Sequence, residues 1–76
     1  MNITFVPGQQ VVWSYRPQWR RSEIHLVAAE VVQTDKLRVR IRVRTASGKA
    51  MLRWVHPKHL RPKAPDEPEY PYPEAG

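Results

Sequence analysis

The sequence predicts an all-β fold of about five short antiparallel strands, and three features of its 76 residues support this. Residues 37–44 alternate aliphatic and arginine side chains, which is the two-residue period of a strand with one buried face. β-Branched residues are frequent in the other segments, and an apolar stripe of helical period is absent. Turn-forming pairs, Pro7-Gly8 and Ser47-Gly48, separate the β-prone segments.

The elements can be placed in chain order. Residues 1–6 form an arm or a short edge strand, and a polar loop covers residues 17–23. Pro57 presets the backbone for a single 3₁₀ turn near residues 56–60. This order of short strands, long first loop and late 3₁₀ turn predicts a small barrel. Its strands are expected near residues 9–16, 24–33, 37–44, 49–55 and 61–63.

The turn between the third and fourth strands predicts which residues face each other. A two-residue turn at Ser47-Gly48 pairs Ile41 with Trp54 on the inner face. The same register sets Arg42 opposite Arg53 on the outer face. Trp54 is therefore expected in the core, together with Trp13 of the first strand.

A second turn fixes the pairing of the second and third strands. A three-residue turn at Thr34-Asp35-Lys36 pairs Ala29 with Ile41 inside and places Glu30 opposite Arg40 outside. Both turns keep the aliphatic side chains on one face, as a half-buried sheet requires.

Charge is distributed unevenly along the chain. Residues 1–63 carry 13 basic and three acidic residues, a formal charge of +10, whereas residues 64–76 carry four acids and no base. The four prolines of this second segment predict a disordered or extended acidic tail. The basic segment, residues 7–63, is expected to be the folded domain and to meet a polyanion, although solubility alone also favours a net charge.

The composition also limits which compartments and which functional classes are expected for this protein. The chain has no cysteine, which favours a reducing cytoplasm, and no apolar run approaches the ~20 residues of a membrane span. A monomer is expected. Paired carboxylates, a nucleophilic cysteine and a glycine-rich phosphate loop are all missing from the body, so catalysis and a cofactor are not expected. The three histidines lack partners at metal-ligand spacing.

Four segments resemble the SH3-like barrel superfamily, in particular its Tudor and KOW-like branches. They are residues 8–15, 27–32, 37–43 and 53–60, the last resembling the strand–3₁₀–strand closure of such barrels. The KOW glycines after the first strand are missing, and the loop at residues 45–49 lacks an aromatic residue for a Tudor-type cage. The resemblance implies a fold and leaves the function open.

The arginine strand predicts the candidate site. Arginine binds phosphate through two hydrogen bonds and stacks on bases, so a row of arginines suits a nucleic acid, DNA or RNA. Trp19 lies beside two further arginines in the first loop and could stack on a base. The predicted nucleic-acid-binding residues are Arg38, Arg40, Arg42, Arg44, Arg53, Arg20, Arg21 and Trp19.

Two alternatives remain open. The first is a protein-interaction module that uses the basic face against an acidic protein surface, or a groove beside Trp19 and Tyr15. The second is a structural role, in which the acidic tail folds over the arginine face and Glu30 serves as a further counter-ion. A charged face also discourages aggregation through strand edges without any ligand.

Overall fold

The computed structural model describes residues 4–17 and 22–73, and the fold within these ranges is all-β. A single 3₁₀ turn, Pro57–His59, interrupts the strands, and no α-helix occurs in the described part. No helix in these two ranges has the length and apolarity needed to cross a bilayer. The strands are β1 (Gln10–Tyr15), β2 (His25–Thr34), β3 (Val39–Arg44), β4 (Ala50–Val55) and β5 (Leu60–Pro62).

The five strands form one antiparallel sheet in the order β4-β3-β2-β1-β5. The predicted all-β class and the 3₁₀ turn before the last strand are confirmed. The sheet is not closed, because β4 and β5 form its two edges and are not hydrogen-bonded to each other. His56 is the N-cap of the 3₁₀ turn, and its Nδ1 accepts a hydrogen bond from the N–H of Lys58 (3.1 Å).

The core lies on one face of this sheet. Alternate residues of β3 (Val39, Ile41 and Val43) are buried, as the two-residue period predicts. Phe5 from the N-terminal segment is also buried in this cluster, although residues 4–6 do not form a strand. Its other members are Val11, Trp13, Val27, Ala29, Val31, Val55 and Leu60.

The register between β2 and β3 keeps the predicted faces but is shifted by two residues. Ala29 lies opposite Val43 and Glu30 opposite Arg42, whereas the sequence suggested Ile41 and Arg40. The connection is longer than expected, and β2 has an irregularity between Val31 and Gln33 that leaves one residue unpaired. Such a bulge bends and twists its strand.

The register between β3 and β4 is shifted by one residue from the prediction, and this reverses the faces of β4. Ile41 lies opposite Arg53, and Arg40 lies opposite Trp54. The turn contains three residues, because the N–H of Thr45 donates to the carbonyl of Lys49 (2.9 Å) across it. Gly48 has a φ of +91°, the left-handed conformation that the third position of such a turn requires.

The segment that follows β5 is bound to the sheet between the ends of β2 and β3. The N–H of Ala28 donates to the carbonyl of Tyr70, and the N–H of Tyr72 donates to the carbonyl of Arg44, both at 2.8 Å. Residues 64–73, whose composition predicts a disordered or extended tail, therefore lie against the sheet, with a turn at residues 65–67.

Tyr72 supplies a side chain to the core from this segment. Its ring stacks on Trp13, with centroids 6.1 Å apart, and is tilted against Tyr15 at 5.1 Å. The hydroxyl groups of Tyr15 and Tyr72 are 3.3 Å apart and hydrogen-bonded. This bond and burial raise the pKa of Tyr15. The C-terminal segment therefore fills part of the core that the five strands leave open.

Candidate nucleic-acid interface

The site is built on β3, whose two faces have opposite chemistry. While its aliphatic side chains point into the core, its arginines point to the other face of the sheet. Arg38, just before β3, and Arg44, at its end, are exposed, and the two between them are half-buried. We define the arginine face as the surface formed by Arg38, Arg40, Arg42, Arg44, Leu52 and Trp54.

Most of the positive charge on this face lacks an internal counter-ion. Arg42 pairs with Glu30, which lies directly opposite it on β2. Among the described residues, no carboxylate forms an ion pair with Arg38, Arg40 or Arg44. Three guanidinium groups are therefore available to an external anion.

Two acids of the C-terminal segment, Glu67 and Glu69, pair with a residue of β5 and with the residue that follows it. Glu67 binds Arg61, and Glu69 lies 3.5 Å from the ammonium group of Lys63. The segment borders the Arg44 end of the arginine face without neutralising it. Residues 69–71 line one cavity together with Arg42 and Arg44, but the described carboxylates of the segment form no ion pair with these two arginines.

Lowering the pH from 5 to 2 is expected to weaken the attachment of this segment. The Arg61 guanidinium donates two hydrogen bonds to the Glu67 carboxylate (2.6 and 2.8 Å), and the N–H of Ala64 donates a third (2.9 Å). The first two bonds chiefly, and then the third, lower the pKa of Glu67 from 4.5 to about 2. The ionised carboxylate therefore contributes its full stabilisation above pH 4.5, and this is lost as the pH falls through about 2.

The amide resonance of Ala64 in a ¹H–¹⁵N spectrum reports this transition. We expect it to move with an apparent pKa near 2 in the wild-type protein. The Glu67→Gln variant is the control and should show no such transition. An Ala64 resonance that moves instead near pH 4.5 would contradict the proposed ion pair.

Trp54 lies on the arginine face and not in the core. The β3–β4 register places it opposite Arg40, and 38% of its surface is exposed. The guanidinium carbons of Arg38 and Arg40 lie 5.3 and 5.8 Å from the centroid of its ring. Both distances are within the range of a cation–π interaction. The predicted core position of Trp54 is therefore wrong, whereas Trp13 is buried as expected.

Arg53 does not belong to the arginine face, which corrects the prediction that it lies opposite Arg42. Its position opposite Ile41 places it on the other face, where its guanidinium lies 5.9 Å from the Tyr72 ring. It also donates a hydrogen bond to the carbonyl of Leu52 (2.8 Å). The like-charge stack that the sequence suggested does not form, and Leu52 lies opposite Arg42 instead.

The first loop contains the remaining predicted residues. Trp19, Arg20 and Arg21 lie outside the described residues. Tyr15, expected beside a groove, lines one together with Arg16, Trp54, His56 and His59, between the end of β1 and the 3₁₀ turn. This groove borders the arginine face at Trp54.

The histidines have local roles in the structure. His25 lies 3.2 Å from the carboxylate of Glu23, and His56 begins the 3₁₀ turn. No group of three or more potential metal-ligating His, Cys, Asp or Glu residues occurs within residues 4–17 and 22–73.

Sequence reasoning missed Trp54 as a candidate binding residue. The available signal was its position in a strand next to the row of arginines. Which face it occupies depends on the β3–β4 turn, and the predicted turn was one residue too short. Comparison with known proteins finds no matching family model, no similar curated protein and no similar solved structure.

Proposed function

We propose that this protein is a non-enzymatic nucleic-acid-binding module whose ligand contacts the arginine face. The observation that carries the proposal is the exposed Trp54 ring beside Arg38 and Arg40, neither of which has an acidic partner among the described residues. Arginine contacts phosphate groups, and an aromatic ring next to it can contact bases. A face built only for solubility would not need an exposed tryptophan within its charged row.

The SH3-like barrel is the fold that we propose for this scaffold. The strand order β4-β3-β2-β1-β5 and the 3₁₀ turn between the last two strands support it. The bulge in β2 supports a strongly curved sheet. In such a scaffold, the aliphatic side of β3 lies inside and its arginine side remains accessible from solvent.

Salt-dependent binding tests the proposed function. Three arginines without acidic partners, each contacting one phosphate, predict that log K falls with log salt at a slope of about −2 for a single strand and about −2.7 for a duplex. The measurement is fluorescence anisotropy of labelled DNA and RNA oligonucleotides between 50 and 500 mM salt. The proposed function is contradicted if none of these oligonucleotides binds at the lowest salt concentration.

A protein-interaction module is the second candidate, and the groove beside the 3₁₀ turn favours it. Tyr15 and Trp54 contribute aromatic surface there, and His59 contributes a polar side chain. This candidate predicts a protein that co-purifies after nuclease treatment and is lost in the His59→Ala variant. Loss of every partner on nuclease treatment argues against it.

A further inference from the structure

We infer that the nucleic acid is single-stranded and that one of its unpaired bases stacks on Trp54. This inference rests on the proposed function and names the substrate class of the same face. It assigns the arginines to the phosphate backbone and the indole ring to a base.

Access to Trp54 follows from its position in the sheet. β4 is an edge strand, so β3 covers only one side of it. Trp54 lies opposite Arg40 and keeps 38% of its surface exposed in this setting. The C-terminal segment is bound at the far end of β3, next to Arg44, and leaves the Trp54 end open. A planar group can therefore approach the indole from the edge of the sheet.

The form of the nucleic acid follows from what a tryptophan ring can contact. In a duplex the faces of the bases are stacked on one another, and only their edges are accessible in the grooves. The faces become accessible in single strands, where aromatic side chains and guanidinium groups stack on them. Trp54 therefore favours unpaired bases.

The arginines next to Trp54 are partly ordered before a ligand binds. The guanidinium groups of Arg38 and Arg40 lie over its ring, at 5.3 and 5.8 Å. Arginine side chains held in this way lose less rotamer freedom when they contact a phosphate. A strand bound along β3 would thus meet Arg44 and Arg40 with its phosphates and reach the Trp54 ring at the other end.

Replacement of Trp54 tests this inference. Binding is measured by fluorescence anisotropy at 50 mM salt with labelled 12-nucleotide oligo-dT, oligo-U and a mixed-sequence DNA duplex of equal length. We expect Trp54→Ala to weaken single-strand binding by roughly 5- to 150-fold, the range for loss of one stacked base. Trp54→Phe should keep most of the affinity, because it retains an aromatic ring. Duplex binding should weaken much less than single-strand binding in Trp54→Ala, because only the ordering of the two arginines is lost.

Leu26→Ala is the matched control for this experiment. Leu26 lies on β2, opposite Ser14 and outside the arginine face, is 38% exposed like Trp54 and has no aromatic ring, so its loss should change single-strand binding less than twofold. The salt slope of Trp54→Ala should equal that of the wild-type protein, since no phosphate contact is removed. A reduced slope would show instead that Trp54 acts only by holding the arginines, which would overturn base stacking.

The outcomes separate this inference from the proposed function. If duplex and single strands bind equally and Trp54→Ala binds both like the wild-type protein, the stacking inference is overturned while nucleic-acid binding stands. If no oligonucleotide binds at 50 mM salt, the proposed function is overturned as well.

Discussion

The Tyr72→Ala variant is expected to lose about 2 kcal/mol of unfolding free energy, a value below that of a fully buried aromatic residue because Tyr72 is half-buried. The lost side chain packs on Trp13 and Tyr15 and also lies under the Arg53 guanidinium. For a chain of this size, total stability is about 4–11 kcal/mol, so the loss is a large fraction of it.

Urea unfolding followed by circular dichroism measures this effect. Tyr72→Phe is the matched control, because it keeps the ring contacts and removes only the hydroxyl bond to Tyr15, and it should cost less than about 1 kcal/mol. A Tyr72→Ala variant as stable as Tyr72→Phe would show that the ring contributes nothing to the core.

The double variant Arg38→Gln/Arg44→Gln is expected to bind single strands roughly 60-fold more weakly at 50 mM salt, because two phosphate contacts are lost. These are the exposed arginines at the two ends of the row. The salt slope should fall in magnitude from about −2 to about −0.7, the contribution of one remaining contact. Fluorescence anisotropy over a series of salt concentrations measures both quantities.

The control variant Arg53→Gln/Lys58→Gln also removes two positive charges, but from surfaces outside the arginine face. Arg53 lies on the opposite face, and Lys58 lies in the 3₁₀ turn. Its affinity should fall by only a few-fold, through the weaker overall field, and its salt slope should remain near that of the wild-type protein. Equal losses in the two double variants would contradict a localised interface, because net charge alone would then explain binding.

The strands and the core were predictable because they follow from local patterning. The alternation around Ile41 identifies the buried face of β3, and the structure buries Val39, Ile41 and Val43, whereas Leu37 lies before the strand and is 77% exposed. Pro57 likewise marks the 3₁₀ turn. Each of these features depends on residues a few positions apart, so the sequence contains the information directly.

The composition of the arginine face was harder to predict, because it depends on the length of one turn. A loop of two residues places Trp54 inside, and a loop of three places it outside. Gly48 fits both loops, since both accept a left-handed residue. The Thr45 hydroxyl, which accepts the N–H of Lys49 at 3.1 Å, supports the longer turn.

The C-terminal segment could be predicted only as disordered or extended, because composition does not show which contacts a segment makes. Its prolines and acids are typical of disorder, yet Tyr70 and Tyr72 occupy positions that the sheet leaves open. Proline also suits an extended backbone that contributes only a few hydrogen bonds. The two tyrosines were the available signal, since disordered segments are poor in aromatic residues.

The contact between Tyr15 and Tyr72 has a consequence for a nascent chain. The two residues are 57 positions apart, and translation adds about 5–20 residues per second, so roughly 3–11 s separate their synthesis. During this interval Trp13 and Tyr15 have no partner ring from the C-terminal side. The aromatic side chains of β1 are therefore made several seconds before the ring that packs on them, and the core around them can be completed only after residue 72 has been added.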